Sequence, residues 1–292
     1  HPQATPNDFR YYNGDQWNLN NTGIYGGTPG ADVRAATAWD TRTDASSVVV
    51  AVIDTGIRYT HEDLGGNMWV NPGESGLDAL GRNKRTNGID DDANGWIDDV
   101  HGINPVYGNG DPNDDFGHGS HVAGVIGAVS NNGVGVAGIA WRVQLMALKF
   151  LDSGANGSIS DVITCIDYAK SKGVDVVNAS WGSYSFTSNA LRDAIRSLAD
   201  ANIIFVAACG NNNTNNLLAA LTCDPALCDA PPDPPPGVFD WRSAVLYFVF
   251  VDRFVNGNGA NDCHVAGTSV SGTASGDYEG GDWAGVTQKI DA

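Results

Sequence analysis

The feature that most restricts this chain is the run Val48 to Ile53, six apolar and mostly β-branched residues with no polar residue between them. A strand with one wet face alternates polar and apolar residues, so a strand without alternation must be covered on both faces. The sequence beyond Ile53 fits that demand. A helix is expected from Gly119 to Val129, then a strand from Val143 to Phe150. The next helix, Ser158 to Lys172, places Ile159, Val162, Ile163 and Ile166 on one face. A strand from Val174 to Asn178, a helix from Asn189 to Ala201 and a strand from Ile203 to Ala208 complete the series. Strands alternating with helices of this length predict an α/β fold: a mostly parallel sheet with helices on both faces, joined by right-handed crossovers. Ahead of it, residues 1–46 read as an irregular polar arm with one short helix from Ala31 to Trp39. Residues 65–117 read as a long loop region rich in Gly, Asn and Asp.

The pattern divides the chain into a core over 1–216, a linker over 217–238 and a carboxyl-terminal segment over 239–292. The linker holds Cys223, Cys228 and the prolines 231, 232 and 234–236, which stiffen it. The last segment opens with an apolar strand candidate, Ala244 to Val251, and then turns glycine-rich and polar, giving an irregular carboxyl-terminal third. Sixteen Lys and Arg against 34 Asp and Glu leave a net charge of −18. That balance argues against nucleic acid or an anionic membrane as partner and suits bound cations. Apolar runs are too short to span a bilayer. The chain starts at His1 without a basic segment and apolar stretch, so a secretion signal is expected to be already removed or never present. There are five cysteines. Cys165 sits in a helical pattern and is expected to be buried, and a disulfide among Cys223, Cys228 and Cys263 would suit an exported protein.

In open parallel sheets, functional groups gather at the carboxyl ends of the strands. One strand here ends in Asp54-Thr55-Gly56, another in Ala179-Ser180-Trp181-Gly182, and a third in Cys209-Gly210-Asn211. His118 stands at the start of a helix. An aspartate, a histidine and an amide donor on one rim are three parts of an acyl-transfer site. On spacing alone, other readings stay open: Asp54 capping a turn, His118 satisfied at a helix start, or His118 and His121 as ligands of a metal that lacks an obvious third ligand.

A second motif, Asp90 to Asp99, matches a calcium loop. It offers oxygen at positions 1, 3, 5, 7 and 9, from Asp90, Asp92, Asn94, the Trp96 carbonyl and Asp98, with Gly95 at the sharp turn. The twelfth position is His101 rather than Glu, so a bidentate carboxylate would have to come from elsewhere. The competing reading is a solvated acidic turn.

The motifs in order over residues 8–213 resemble the subtilisin-like serine proteases. Asp15-Gln16-Trp17 and Gly27-Thr28-Pro29-Gly30-Ala31-Asp32 precede the first core strand. Then come Val50-Ala51-Val52-Ile53-Asp54-Thr55-Gly56, His61-Glu62-Asp63-Leu64, Gly117-His118-Gly119-Ser120-His121, Asn178-Ala179-Ser180-Trp181-Gly182, and Ala207-Ala208-Cys209-Gly210-Asn211. The resemblance implies a subtilisin-like fold, with Asp54 and His118 as triad members and Asn211 as oxyanion donor. It also implies a substrate cleft lined by Ser180, Trp181 and Gly182 together with Gly154 and Gly157. The nucleophile would be Ser269, in Gly267-Thr268-Ser269-Val270-Ser271, although the glycine-rich sequence after it departs from the family's long helix. Asp63, with Asp8 from the amino-terminal arm, would serve a second calcium site. Residues 239–290 carry a different resemblance, to the start of an α-amylase family barrel. The implied protein is a secreted, calcium-stabilised, monomeric serine endopeptidase acting on polypeptide substrates. The alternative is an inactive or recombined protease-like scaffold fused to a glycosidase fragment.

Overall fold

The computed structural model describes residues 4–182 and 188–208. Short helices α1 (Phe9–Tyr12) and α2 (Ala35–Trp39) come first, then β1 (Asp44–Asp54) and the two-residue β2 (Gly102–Ile103). The remaining elements are α3 (His118–Gly127), β3 (Arg142–Lys149), α4 (Ile159–Lys172), β4 (Val176–Ala179), α5 (Asn189–Asp200) and β5 (Ile204–Ala207). The strands form one sheet in the order β2-β3-β1-β4-β5, and every pairing is parallel. The expected α/β architecture is therefore the observed one.

The run without alternation behaves as its composition demands. Ala51 and Ile53 enter a core with Val162, Cys165, Ile166 and Leu198 from α4 and α5. Val50 and Val52 enter a second core with Val122 and Ala123 from α3. Successive β residues point to opposite faces, so one central strand feeds both layers. Each fully buried Ile or Leu here contributes about 1.5–3 kcal/mol of apolar burial. Cys165 is buried with a free thiol, as its helical setting suggested.

Helix ends follow local chemistry. Ser158 caps α4 by accepting from the Asp161 amide, and Gly173 ends it in a left-handed conformation with φ of 66°. Lys170 and Lys172 lie in its last turn, facing the negative end of the dipole. Gly117 precedes α3 with φ of 108°, a conformation that strains any side chain.

Two expectations change. The amino-terminal arm is more than polar coil: Tyr11, Leu19, Ala35, Trp39 and Ala137 form a small core of their own, and Trp39 Nε1 donates to the Ile139 carbonyl at 2.8 Å. The loop region before α3 also contributes an edge strand, β2, whose Gly102 and Ile103 pair with Ala147 and Leu148. Two residues are too few to give a periodic signal. The linker, the strand candidate Ala244 to Val251, Cys223, Cys228, Cys263 and the barrel-like stretch 239–290 lie outside the described residues.

Candidate active site

β1 delivers Asp54 to the carboxyl edge of the sheet, fully buried. His118 opens α3 beside it. The imidazole Nδ1 lies 2.8 Å from Asp54 Oδ1, and because a carboxylate only accepts, Nδ1 carries the proton. The Thr55 amide donates to the same oxygen at 2.7 Å. The other oxygen, Asp54 Oδ2, is buried without a hydrogen-bond partner. The His118 side chain is 46% exposed against 0% for Asp54, so a shielded carboxylate orients a reachable imidazole.

Close approach at Gly119 permits this pairing. A Cβ there would fall 2.1 Å from the Gly56 carbonyl and 3.0 Å from Asp54 Cβ. Any side chain would lift α3 off the Asp54-Thr55-Gly56 turn. The bare amide of Gly119 instead donates to Thr55 Oγ1 at 2.9 Å. Thr55 in turn donates to Asp114 Oδ1 at 2.9 Å, and Asp114 also accepts from the amides of Phe116, Gly117 and Ser120 and from the Ser120 hydroxyl. Burial opposes ionisation of Asp114, but the bonds from Ser120, Gly117 and Phe116 outweigh it and hold its carboxyl below the usual range. The start of α3 is thus tied to the turn after β1 by a network that the sequence motifs only hinted at. Its signal was the Asp114-Asp115 pair just ahead of Phe116-Gly117-His118.

β3 and β4 flank β1, so their carboxyl ends adjoin Asp54. Gly154 and Gly157 follow β3 in an exposed turn, closed by Asp152 Oδ1 accepting from the Gly154 amide at 2.8 Å. Ser180 follows β4 and accepts from Asn178 Nδ2 at 2.9 Å. Trp181 turns inward: Nε1 donates to the Ile53 carbonyl at 2.7 Å, and its ring packs on Phe150 at 4.8 Å. Gly182 is exposed. Asp54, His118, Ser180, Gly182, Gly154 and Gly157 therefore share one edge, while Asn211 and Ser269 lie outside the described residues. With its Nδ1 proton held by Asp54, His118 has Nε2 as its basic nitrogen. The arrangement can orient an imidazole to accept a proton and then stabilise the imidazolium.

The acidic loop is arranged differently from its sequence template. Ligand atoms of Glu74, Asp92 and Asp99 lie within 4.8 Å of one another. Of the three acidic loop ligands expected, Asp92 belongs to this group and Asp90 and Asp98 do not. Asp90 accepts from the amides of Asn94 and Gly95, Asn94 Oδ1 accepts from the Trp96 amide, and Asp98 accepts from the Gly88 amide. Asp98 adopts a left-handed backbone with φ of 52° and is half-buried, while the next residue, Asp99, is fully buried. Glu74 and Asp99 are fully buried, and burial pushes both carboxyls above their ordinary range. Glu74 Oε2 and Asp92 Oδ1 have no hydrogen-bond partner. The other oxygens are held: Asn71 Nδ2 bonds Asp92 and Asp99, Tyr168 bonds Asp99, and Lys172 bonds Asp92 at 2.6 Å. The only sequence trace of Glu74 was an acid in Asn71-Pro72-Gly73-Glu74, before the loop. Asp8 and Asp63 meet over the 131–136 turn: Asp8 accepts from the Asn131 and Asn132 amides, and Asp63 accepts from Asn132 Nδ2 and the Val136 amide. His121 is exposed, and among the described residues no acidic or thiol group joins it and His118 into a ligand cluster.

A family model described as the Subtilase family matches residues 45–231. Subtilisin-like protease 1 of Plasmodium berghei (strain Anka) is 41% identical over 173 residues, covering 59% of this chain and 27% of that protein. The thermophilic serine proteinase of Bacillus sp. (strain AK1) is 32% identical over 211 residues, covering 72% and 42%. The cell wall-associated protease of Bacillus subtilis (strain 168) is 32% identical over 217 residues, covering 74% and 21%. The chain spans less than half the length of each of these relatives. These matches agree with the protease resemblance and give no support to the barrel resemblance of residues 239–290.

Proposed function

The chain belongs to the Subtilase family, and from that premise we propose that it is a secreted serine endopeptidase hydrolysing peptide bonds in polypeptide substrates. The observation that carries the reading is the 2.8 Å bond between a fully buried Asp54 and His118. In this mechanism Asp54 fixes the imidazole with its proton on Nδ1. His118 Nε2 takes the proton of the Ser269 hydroxyl as the oxygen attacks the scissile carbonyl, and returns it to the leaving amine. The Asn211 amide donates to the oxyanion. The edges after β3 and β4, at Gly154, Gly157, Ser180 and Gly182, pair with extended substrate backbone. Trp181 supports that edge from within. Residues 217–238 link the core to 239–292, which completes the protease unit with the nucleophile. Secretion is supported by the acidic balance and by the cell-wall association named for the Bacillus subtilis relative. The described residues contain no helix long and apolar enough to cross a membrane. The working form is a monomer.

The test is hydrolysis of a chromogenic peptide together with labelling by a serine-directed phosphonate. Turnover and labelling that are both abolished in Ser269→Ala support the reading. Full activity in that variant removes Ser269 as nucleophile, and absence of turnover and labelling in the parent chain removes the peptidase.

Calcium is the second part of the proposal. Two unpaired, buried carboxylate oxygens facing a third carboxylate make a donor set for a hard cation. Glu74, Asp92 and Asp99 would hold it, while Asn71, Tyr168 and Lys172 keep their other oxygens oriented. The loop residues Asp90, Asn94, Trp96 and Asp98 shape the turn that brings Asp92 and Asp99 inward. Bound calcium supplies the positive charge that lets these acids stay ionised while buried. A second ion at Asp63 and Asp8 is proposed from the family resemblance, since each carboxylate oxygen there keeps a lone pair beyond its amide bond. Chelation that leaves the melting temperature unchanged would remove both sites.

A further inference from the structure

β3 runs Leu145, Met146, Ala147 and Leu148, each wholly buried, and then places Lys149 where the pattern would continue with an apolar side chain. The lysine is 1% exposed. Its ammonium donates to the Thr55 carbonyl at 2.7 Å, to Asp115 Oδ1 at 2.6 Å and to the Leu151 carbonyl at 2.8 Å. Those three bonds use all of its protons. The three acceptors belong to three different segments of the site. Thr55 follows Asp54. Asp115 lies beside Asp114 in the loop that enters α3 at His118. Leu151 begins the turn that carries Gly154 and Gly157. The backbone is laced at the same point, with the amides of Phe150 and Leu151 donating to the Asp54 carbonyl at 3.0 and 3.3 Å.

Stability alone is a poor account of such a residue. Desolvating an ammonium is expensive, and replacing a buried ion pair with an apolar group of similar volume is often neutral or stabilising. A merely space-filling position at the end of this strand would be served as well by Met. We propose that Lys149 is a positioning residue for the Asp54–His118 pair. Its ammonium clamps the turn after β1 to the loop before α3, and it offsets the negative charge that Asp54, Asp114 and Asp115 bring to that rim. Lys149 acts through the proton relay and touches no reacting atom.

The inference rests on the peptidase reading, and one measurement judges it apart from turnover. In the full chain, the His118 Nδ1 proton bonded to Asp54 gives a downfield proton resonance, assignable by its loss in His118→Ala. Lys149→Met leaves Asp115 and the Thr55 and Leu151 carbonyls without their donor, so it should fold with a lowered melting temperature and lose or displace that resonance. Lys149→Arg, which keeps charge and donors, should restore part of it. In peptide hydrolysis normalised to phosphonate-titrated sites, Lys149→Met should lower kcat at least tenfold, on the scale of a mispositioned group, and change KM less. A folded Lys149→Met with the parent resonance overturns the proposal, and so does kcat within twofold of the parent. A parent chain that shows the resonance but no turnover defeats the peptidase reading alone, and the resonance in the two variants still decides Lys149.

Discussion

The rim around Asp54 and the loop from Asn71 to Asp99 both crowd carboxylates against buried backbone, and they meet the repulsion to different degrees. At the rim the chain supplies its own donors. Asp114 collects four amide and hydroxyl bonds from the start of α3 and one from Thr55, Asp115 takes the Lys149 ammonium, and Asp54 holds His118. The rim leaves one carboxylate oxygen bare, Asp54 Oδ2, whereas in the loop the donors run shorter and leave both Glu74 Oε2 and Asp92 Oδ1 bare. The proton transfer proposed for the rim needs geometry fixed in advance, and covalently attached donors provide it. A site whose task is to hold a loop can leave its last donor to solution.

The largest effect that would break this contrast is at the rim. Asp54→Asn keeps the volume but removes the charge that stabilises the His118 imidazolium and can turn an amide NH2 toward Nδ1, so kcat for a chromogenic peptide should fall on the order of 10⁴-fold. The fold should persist, because the Thr55 amide can still meet the amide oxygen. A loss below tenfold would mean that the rim is not preorganised by Asp54.

Next comes the loop. Glu74→Gln removes one proposed ligand charge, and Asn71→Ala removes the donor shared by Asp92 and Asp99. Each should weaken calcium binding, read by calorimetry, by about 10–100-fold, the range seen when a ligand's supporting shell is lost. Peptide turnover in saturating calcium should stay at the parent value. Equal affinity in both variants would place the ion elsewhere.

These two regions also show what could be read from sequence. The places of Asp54 and His118 at the sheet edge are legible because each ends or begins a regular element, whereas their roles as triad members are what the ordered motifs imply by resemblance. The donors behind them are not legible. Lys149 looks like any strand residue until the fold brings Thr55, Asp115 and Leu151 around it. Glu74 escaped for a related reason: the loop template counts ligands along one continuous turn, whereas the buried group draws an acid from before the loop. The loop template points to Asp98 rather than Asp99 because it cannot see that Asp98 adopts a left-handed backbone.

The two regions should also answer to pH with opposite sign. Glu74 and Asp99 have folded values raised above 4.5 and 3.8. Between each ordinary value and its raised one, the folded chain holds more protons than the unfolded, so stability falls as pH rises through that window. Asp114 is the reverse. Its folded value is lowered from 3.8, so its contribution is complete above that value and is lost as pH falls through the folded one. Chelated Ser269→Ala protein, which cannot digest itself on the proposed mechanism, should therefore gain melting temperature from these two groups as pH falls through their raised folded values toward the ordinary 4.5 and 3.8. Saturating calcium should remove that gain. The same slope with and without calcium would separate the ion from Glu74 and Asp99.

The smallest effect sharpens the comparison by showing that charge on the loop counts for little unless it is buried. Arg82 Nε lies 2.7 Å from Asp78 Oδ2, with the arginine side chain 47% exposed. Asp78 sits below its ordinary range chiefly because the Arg82 backbone amide donates to it, and Arg82→Ala leaves that bond in place. The Leu80 amide and Asn87 Nδ2 also remain as donors. An exposed arginine in a screened, flexible pair adds little, so melting temperature should stay within experimental scatter. Calcium affinity should rise slightly at low ionic strength, because one positive charge has left an acidic loop, and the rise should fade as salt is added. A large change that persists in high salt would mean that Arg82 reaches the Glu74–Asp92–Asp99 group through contacts rather than through field, as a second cation of the chain beside Lys172.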